Sequence, residues 1–173
     1  MAISLEHIRH IQGIKQLAND CSLHAEVLNA VVDALNDRSY TRAYNASWIL
    51  AHCFTDHPEL YQSNYTQTLL DAASAFTNKS GIQRNVLKIF QTVVVHPPQV
   101  ETVVELALNT LENVRAETAL RAFSITVLER YIHHYPELIL DTVFLIEREL
   151  PNAGAAFTVR AKRFLKCYAQ YKA

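Results

Sequence analysis

Glycine is nearly absent from this chain, with three residues in 173 positions, at 13, 81 and 154. No glycine-rich phosphate loop can be built from them, and no GxSxG nucleophile elbow occurs. Proline is also scarce, at five residues, and the two scarcities together exclude a loop-rich or all-β protein. The three cysteines, Cys21, Cys53 and Cys167, lie far apart and form no CxxC pair. They indicate neither a disulfide framework nor a zinc site, and they point to a reducing compartment. Charge of one sign is missing as well: 16 Lys and Arg face 17 Asp and Glu, for a net charge of −1. A protein that binds by neutralising phosphates needs a basic excess, so this balance disfavours nucleic acid as a partner. Long hydrophobic runs are lacking too. Stretches such as VVELAL at 103–108 fall far short of the ~20 residues that span a bilayer. The opening MAISLEHIRHIQGIKQ carries Glu6, His7, Arg9, His10 and Lys15 where an export signal needs an uninterrupted apolar stretch. The expectation is a soluble, cytoplasmic protein with no membrane partner.

What is present is apolar. Half of the residues are hydrophobic and 19% are charged, which argues against disorder. A chain of this length buries roughly 70% of its unfolded surface, enough for one independent domain. Pro58, Pro97 and Pro136 stand 39 residues apart in the strings HPELY, HPPQV and YPELI. Proline lacks the amide that a helix interior needs but suits a first turn, so each marks the joint between two helices. With the 39-residue step as a ruler, Leu50, Ile89 and Leu128 superimpose, as do Tyr61, Val100 and Ile139, and Tyr65, Val104 and Val143. All nine are apolar or aromatic, as a core made of stacked copies requires.

The spacing predicts helices near 4–17, 22–36, 39–54, 58–77, 81–95, 99–113, 116–134, 137–149 and 155–170. Asp37 or Ser39, Asn78 or Ser80, and Asn152 or Gly154 stand where N-caps are needed. The polar stretch LANDCS, 39 residues before Pro58, reads as the joint of an atypical first hairpin. The expected fold is all-α: a right-handed α-α superhelix, or solenoid, of about four hairpins of ~39 residues plus a final helix. Its units fall near 1–38, 39–78, 79–114 and 115–150, with a terminal helix at 151–173, and together they form a single domain.

The strings NASWILAHCFTDHPEL, GIQRNVLKIFQ, ALRAFSITVLERY with YPEL, and AAFTVRAKRFLK, spread between about Tyr40 and Lys166, resemble the HEAT or armadillo class of helical repeats. Within it they are similar to a small group of bacterial HEAT-like proteins of unassigned function. The resemblance implies a non-enzymatic module that binds or scaffolds proteins. It also brings in an alternative, because HEAT-like solenoids include DNA glycosylases that remove alkylated bases. A lyase reading is excluded: the flexible loop of adenylosuccinate lyase needs an internal methionine, and Met1 is the only one.

Candidate binding residues come from a second repeat marker. Arg84, Arg121 and Arg160 recur at steps of 37 and 39, with Asn45 in the same place one unit earlier. A row of guanidiniums could grip phosphate or carboxylate on a partner, whereas the HEAT resemblance implies that such arginines bond acids or carbonyls of the adjoining hairpin. The segment after Pro151 holds Arg160, Lys162, Arg163, Lys166 and Lys172 and no acid, while residues 1–114 carry seven bases against eleven acids. That polarity could orient an acidic partner. Arg84, Arg121, Arg160, Arg163 and Lys166 are therefore the predicted contact residues. His7 with His10, His24 with Cys21, and His52 with Cys53 and His57 do not reach the three or four converging ligands that zinc requires, so no metal or other cofactor is expected. Trp48, the sole tryptophan, reads as core packing rather than as a platform for a flipped base. Oligomeric state is not encoded in any of these patterns.

Overall fold

Helices form where apolar residues recur at three- and four-residue steps. The computed structural model describes residues 5–8, 10–76 and 79–171. Among them lie nine α-helices and no strand: α1 (Ile11–Leu23), α2 (Ala25–Asp33), α3 (Tyr40–Asp56), α4 (Tyr65–Ala75), α5 (Ser80–Phe90), α6 (Pro97–Glu112), α7 (Thr118–Tyr131), α8 (Ile139–Glu149) and α9 (Ala155–Cys167). On α5 the buried residues Ile82, Val86, Ile89 and Phe90 follow that spacing and leave a polar face to water. Helix follows helix through short turns, as in helical hairpins.

The chain divides into two compact units, Met1–His96 and Pro97–Ala173. In the first, α3 packs against both α1 and α5. It is consequently buried on almost every side, by Ala43, Ala46, Ile49, Leu50, Ala51, Cys53 and Phe54. In the second, α7 holds the equivalent central place between α6 and α9, while α8 packs on α6 and α9. Of the nine residues aligned by the 39-residue ruler, eight are buried and Tyr61 is half-buried.

Three predicted helices change their bounds. The first runs from Ile11 rather than from residue 4, and it continues through LANDCS to Leu23. Ile14, Ala18 and Cys21 keep one buried face going through those polar residues, so the joint is the single extended residue His24. The helix expected at 58–77 begins only at Tyr65, because Pro58–Leu60 forms one 3₁₀ turn. Pro136–Leu138 does the same in the later copy. Pro97 alone of the three opens an α-helix directly. The helix expected at 81–95 stops at Phe90. After it, Val93 and Val95 are buried and Val94 and His96 exposed, the two-residue alternation that β-branched residues favour in extended chain. Asn78 and Lys172 lie outside the described residues.

Candidate functional site

At the recurring arginine position Asn45, Arg121 and Arg160 each bond an earlier part of the chain. Asn45, buried on α3, donates from Nδ2 to the carbonyls of Leu5 at 2.8 Å and Ile8 at 3.2 Å. Arg121, at the start of α7, donates from Nε to the carbonyl of Leu111 at 3.2 Å and lies over the ring of Phe157. Its Nη2 sits 3.1 Å from Glu149 Oε2 as an ion pair, without the alignment of a hydrogen bond. Burial works against ionisation of Glu149, but contacts from Arg148 and Arg121 and their charges outweigh it and hold the carboxyl below its usual range. Arg160 donates from Nε to Thr126 Oγ1 at 3.1 Å and lies over the ring of Phe123. Arg84 is half-buried on α5.

The predicted cations on α9 differ in their surroundings. Arg163 donates from Nε to Glu129 Oε2 at 2.7 Å and is half exposed. Lys162 and Lys166 are exposed, next to Val159. Phe157, Ala161, Phe164 and Leu165 form the buried side of the same helix, so Lys162, Arg163 and Lys166 are left to its exposed side.

A groove that the sequence patterns did not single out runs between α6 and α8, within the second unit. Two hollows of about 280 and 380 Å³ adjoin there and share Leu108 and Leu138. Val104 and Leu108 from α6, with Leu138 from the turn before α8 and Leu145 from α8, make an apolar floor, beside which Phe144 stays 65% exposed. Around it stand Glu101, Glu105 and Glu112 from α6, and Glu137 and Asp141 at the α8 side. Arg148 is the one cation among the lining residues, and its Nε is already bonded to Glu149 at 2.9 Å. Each stripe was present in the sequence as residues three, four and seven apart. Their pairing across two helices was not, because a single helix pattern carries no information about its neighbour.

In the first unit, Lys15, Asn19, His52, Asp56 and His57 border a cleft of about 170 Å³ with Cys53 in its wall. Burial, assisted by the positive charge of Lys88, pushes the His52 imidazole down. His57 Nδ1 lies 3.3 Å from Glu59 Oε1, so the turn histidine engages a carboxylate. Cys21 and Cys53 are both buried and unpaired by a disulfide. The hydrogen bond that Cys21 shares with Cys53, and burial after it, push the Cys21 thiol far up. Among the described residues no group of three or more His, Cys, Asp or Glu could hold a metal ion, and no helix is long and apolar enough to cross a membrane. Trp48 is half-buried and lies 5.8 Å from the ring of Tyr44, which stacks in turn on Tyr40.

Hairpins of this size, joined at a repeated proline and stapled to the preceding segment by one recurring side chain, are the features by which helical repeat families are recognised. No match to the chain is found among curated proteins or among solved structures. The family model for the HEAT repeat domain matches residues 1–164, and the chain belongs to the HEAT-repeat family.

Proposed function

We propose that this chain is a binding or scaffold module for a protein partner, without catalytic activity of its own, and that it works in the cytoplasm by shape recognition. The groove between α6 and α8 carries this reading. Phe144 is 65% exposed there beside an apolar floor, and an exposed apolar surface rimmed by polar groups marks an interaction site. Helices already packed in place lose little entropy on binding, so modest contacts suffice. The free thiols of Cys21, Cys53 and Cys167 fit a reducing compartment. The four hairpins and the last helix act as one module in this reading. Lys166 and Arg163, which reach solvent on α9, serve as secondary contacts. Arg84, Arg121 and Arg160 serve chiefly to hold the repeats in register. The alternative of a DNA glycosylase relative gains nothing from an acidic groove, which repels phosphates.

The test uses the tagged full chain to capture its partner from native cytoplasm, followed by rebinding of the purified partner to the purified chain. Phe144→Asp is expected to weaken that binding about tenfold or more while leaving the melting temperature unchanged. If no purified protein binds, or if binding is indifferent to both Phe144→Asp and Leu145→Ser, the reading is abandoned.

A further inference from the structure

We infer that the occupant of the α6–α8 groove is an amphipathic helix with lysine or arginine along both edges of its apolar stripe. The inference rests on the protein-binding reading above and names the partner's chemistry. Glu101, Val104, Glu105, Leu108 and Glu112 share one face of α6, and Asp141, Leu145 and Arg148 share one face of α8, with Leu138 just before it. From Glu101 to Glu112 the stripe extends about 16 Å at 1.5 Å per residue, the length of three helical turns. Floor residues at four- and seven-residue steps match a ridge of apolar side chains on a second helix. An extended peptide would turn every other side chain away from such a floor.

The edges decide the charge of the occupant. Glu101, Glu105, Glu112, Glu137 and Asp141 are all exposed. They face a single cation, Arg148, itself bonded to Glu149. This is segregation rather than composition, because residues 97–173 hold nine acids and nine bases, with four of the bases on α9. An anionic lipid surface or a nucleic acid would be repelled by the same rim. A second copy of this chain offering its α9 has the right charge, but the apolar side of α9 is buried in its own unit and Val159 is its one large exposed hydrophobic residue. That leaves too little to fill the floor.

The experiment measures fluorescence anisotropy of a labelled 14-residue synthetic peptide against the purified full chain. The probe carries leucines at helical spacing with lysines on both flanks, and its twin carries glutamates instead. The lysine probe is expected to bind at least about tenfold more tightly than the twin at low ionic strength, with the advantage shrinking as salt rises. Glu105→Lys with Asp141→Lys is expected to invert the preference, and Phe144→Ser to weaken both probes roughly tenfold. Reversal of two exposed acids of the first unit, Glu26→Lys with Asp71→Lys, is expected to change nothing. Equal binding of the two probes, or a preference that survives the Glu105 and Asp141 reversal, overturns the inference. Sedimentation that shows a dimer lost in both Asp141→Lys and Lys166→Glu overturns it in favour of a second copy. If the lysine probe fails while the captured partner still depends on Phe144, the helix chemistry is wrong and the binding-module reading stands.

Discussion

Asn85 on α5 donates a hydrogen bond of 2.9 Å to the hydroxyl of Ser47 on α3, with both side chains buried. Ser47 in turn donates to the carbonyl of Tyr44 at 2.8 Å, so the three groups form a short chain inside the α3–α5 contact. Ser47→Ala leaves the Asn85 amide without its acceptor and is expected to cost about 1–3 kcal/mol, and Asn85→Ala a similar amount. Because the two share one bond, the double variant is expected to lose clearly less than the sum. Urea unfolding measures all three, and strict additivity would show that the bond does not couple the helices.

Arg121 joins Leu111, Phe157 and Glu149 in the second unit. Arg121→Met keeps the stem but removes the donor and the charge, while Arg148 still accompanies Glu149. The expected loss is about 1–2 kcal/mol. The carboxyl of Glu149 is held below the ordinary value of 4.5, so the unfolded chain binds its proton first. The stabilisation is therefore present above pH 4.5 and is lost as pH falls through the folded value. Glu149→Gln is expected to flatten the acid limb of stability in that window, and an unchanged limb would remove Glu149 from its cause.

His52 behaves with the opposite chemistry and the same sign. Its imidazole is depressed below 6.5 by burial, with Lys88 and Lys15 opposing the proton and Asp56 favouring it. Between that depressed value and 6.5 the unfolded chain holds more protons, so stability falls as pH drops below about 6.5. His52→Asn is expected to reduce this slope in urea midpoints measured between pH 5 and 7.5. An identical slope in the variant would assign it to other groups.

The three cysteines separate by access. Cys167 is exposed, whereas Cys21 and Cys53 are buried against each other. An aromatic disulfide reagent is expected to modify one thiol rapidly in the native chain and the other two only at the rate of unfolding. Cys167→Ser removes the rapid phase. Two rapid equivalents in the native chain would mean that the α1–α3 contact opens without global unfolding.

Much of the fold was legible because it repeats. The residues aligned by the proline ruler became core, since a position that stays apolar in every copy has a reason that every copy shares. Joints were harder to read. Pro58 and Pro136 mark a 3₁₀ turn and not the first turn of a helix, because proline's fixed φ suits either conformation. LANDCS read as a loop by polarity, while the helix continued on the strength of Ala18 and Cys21 alone. The groove was illegible for another reason: net charge over residues 115–173 is positive, which hid an acidic stripe assembled from Glu137 and Asp141 with Glu101 and Glu105, outside that span.

Several staples of this chain join residues about one repeat apart. Asn45, Asn85, Thr92 and Arg163 bond groups that precede them by 40, 38, 38 and 34 residues. A closure of 40 residues costs about 1.3 kcal/mol less chain entropy than one that joins the ends of the whole chain. Each of these four side chains thus finds its anchor already synthesised. A ribosome delivering this protein therefore completes these four contacts about one repeat after their first partner emerges, whereas Arg121 waits for Glu149 and Phe157 to be made.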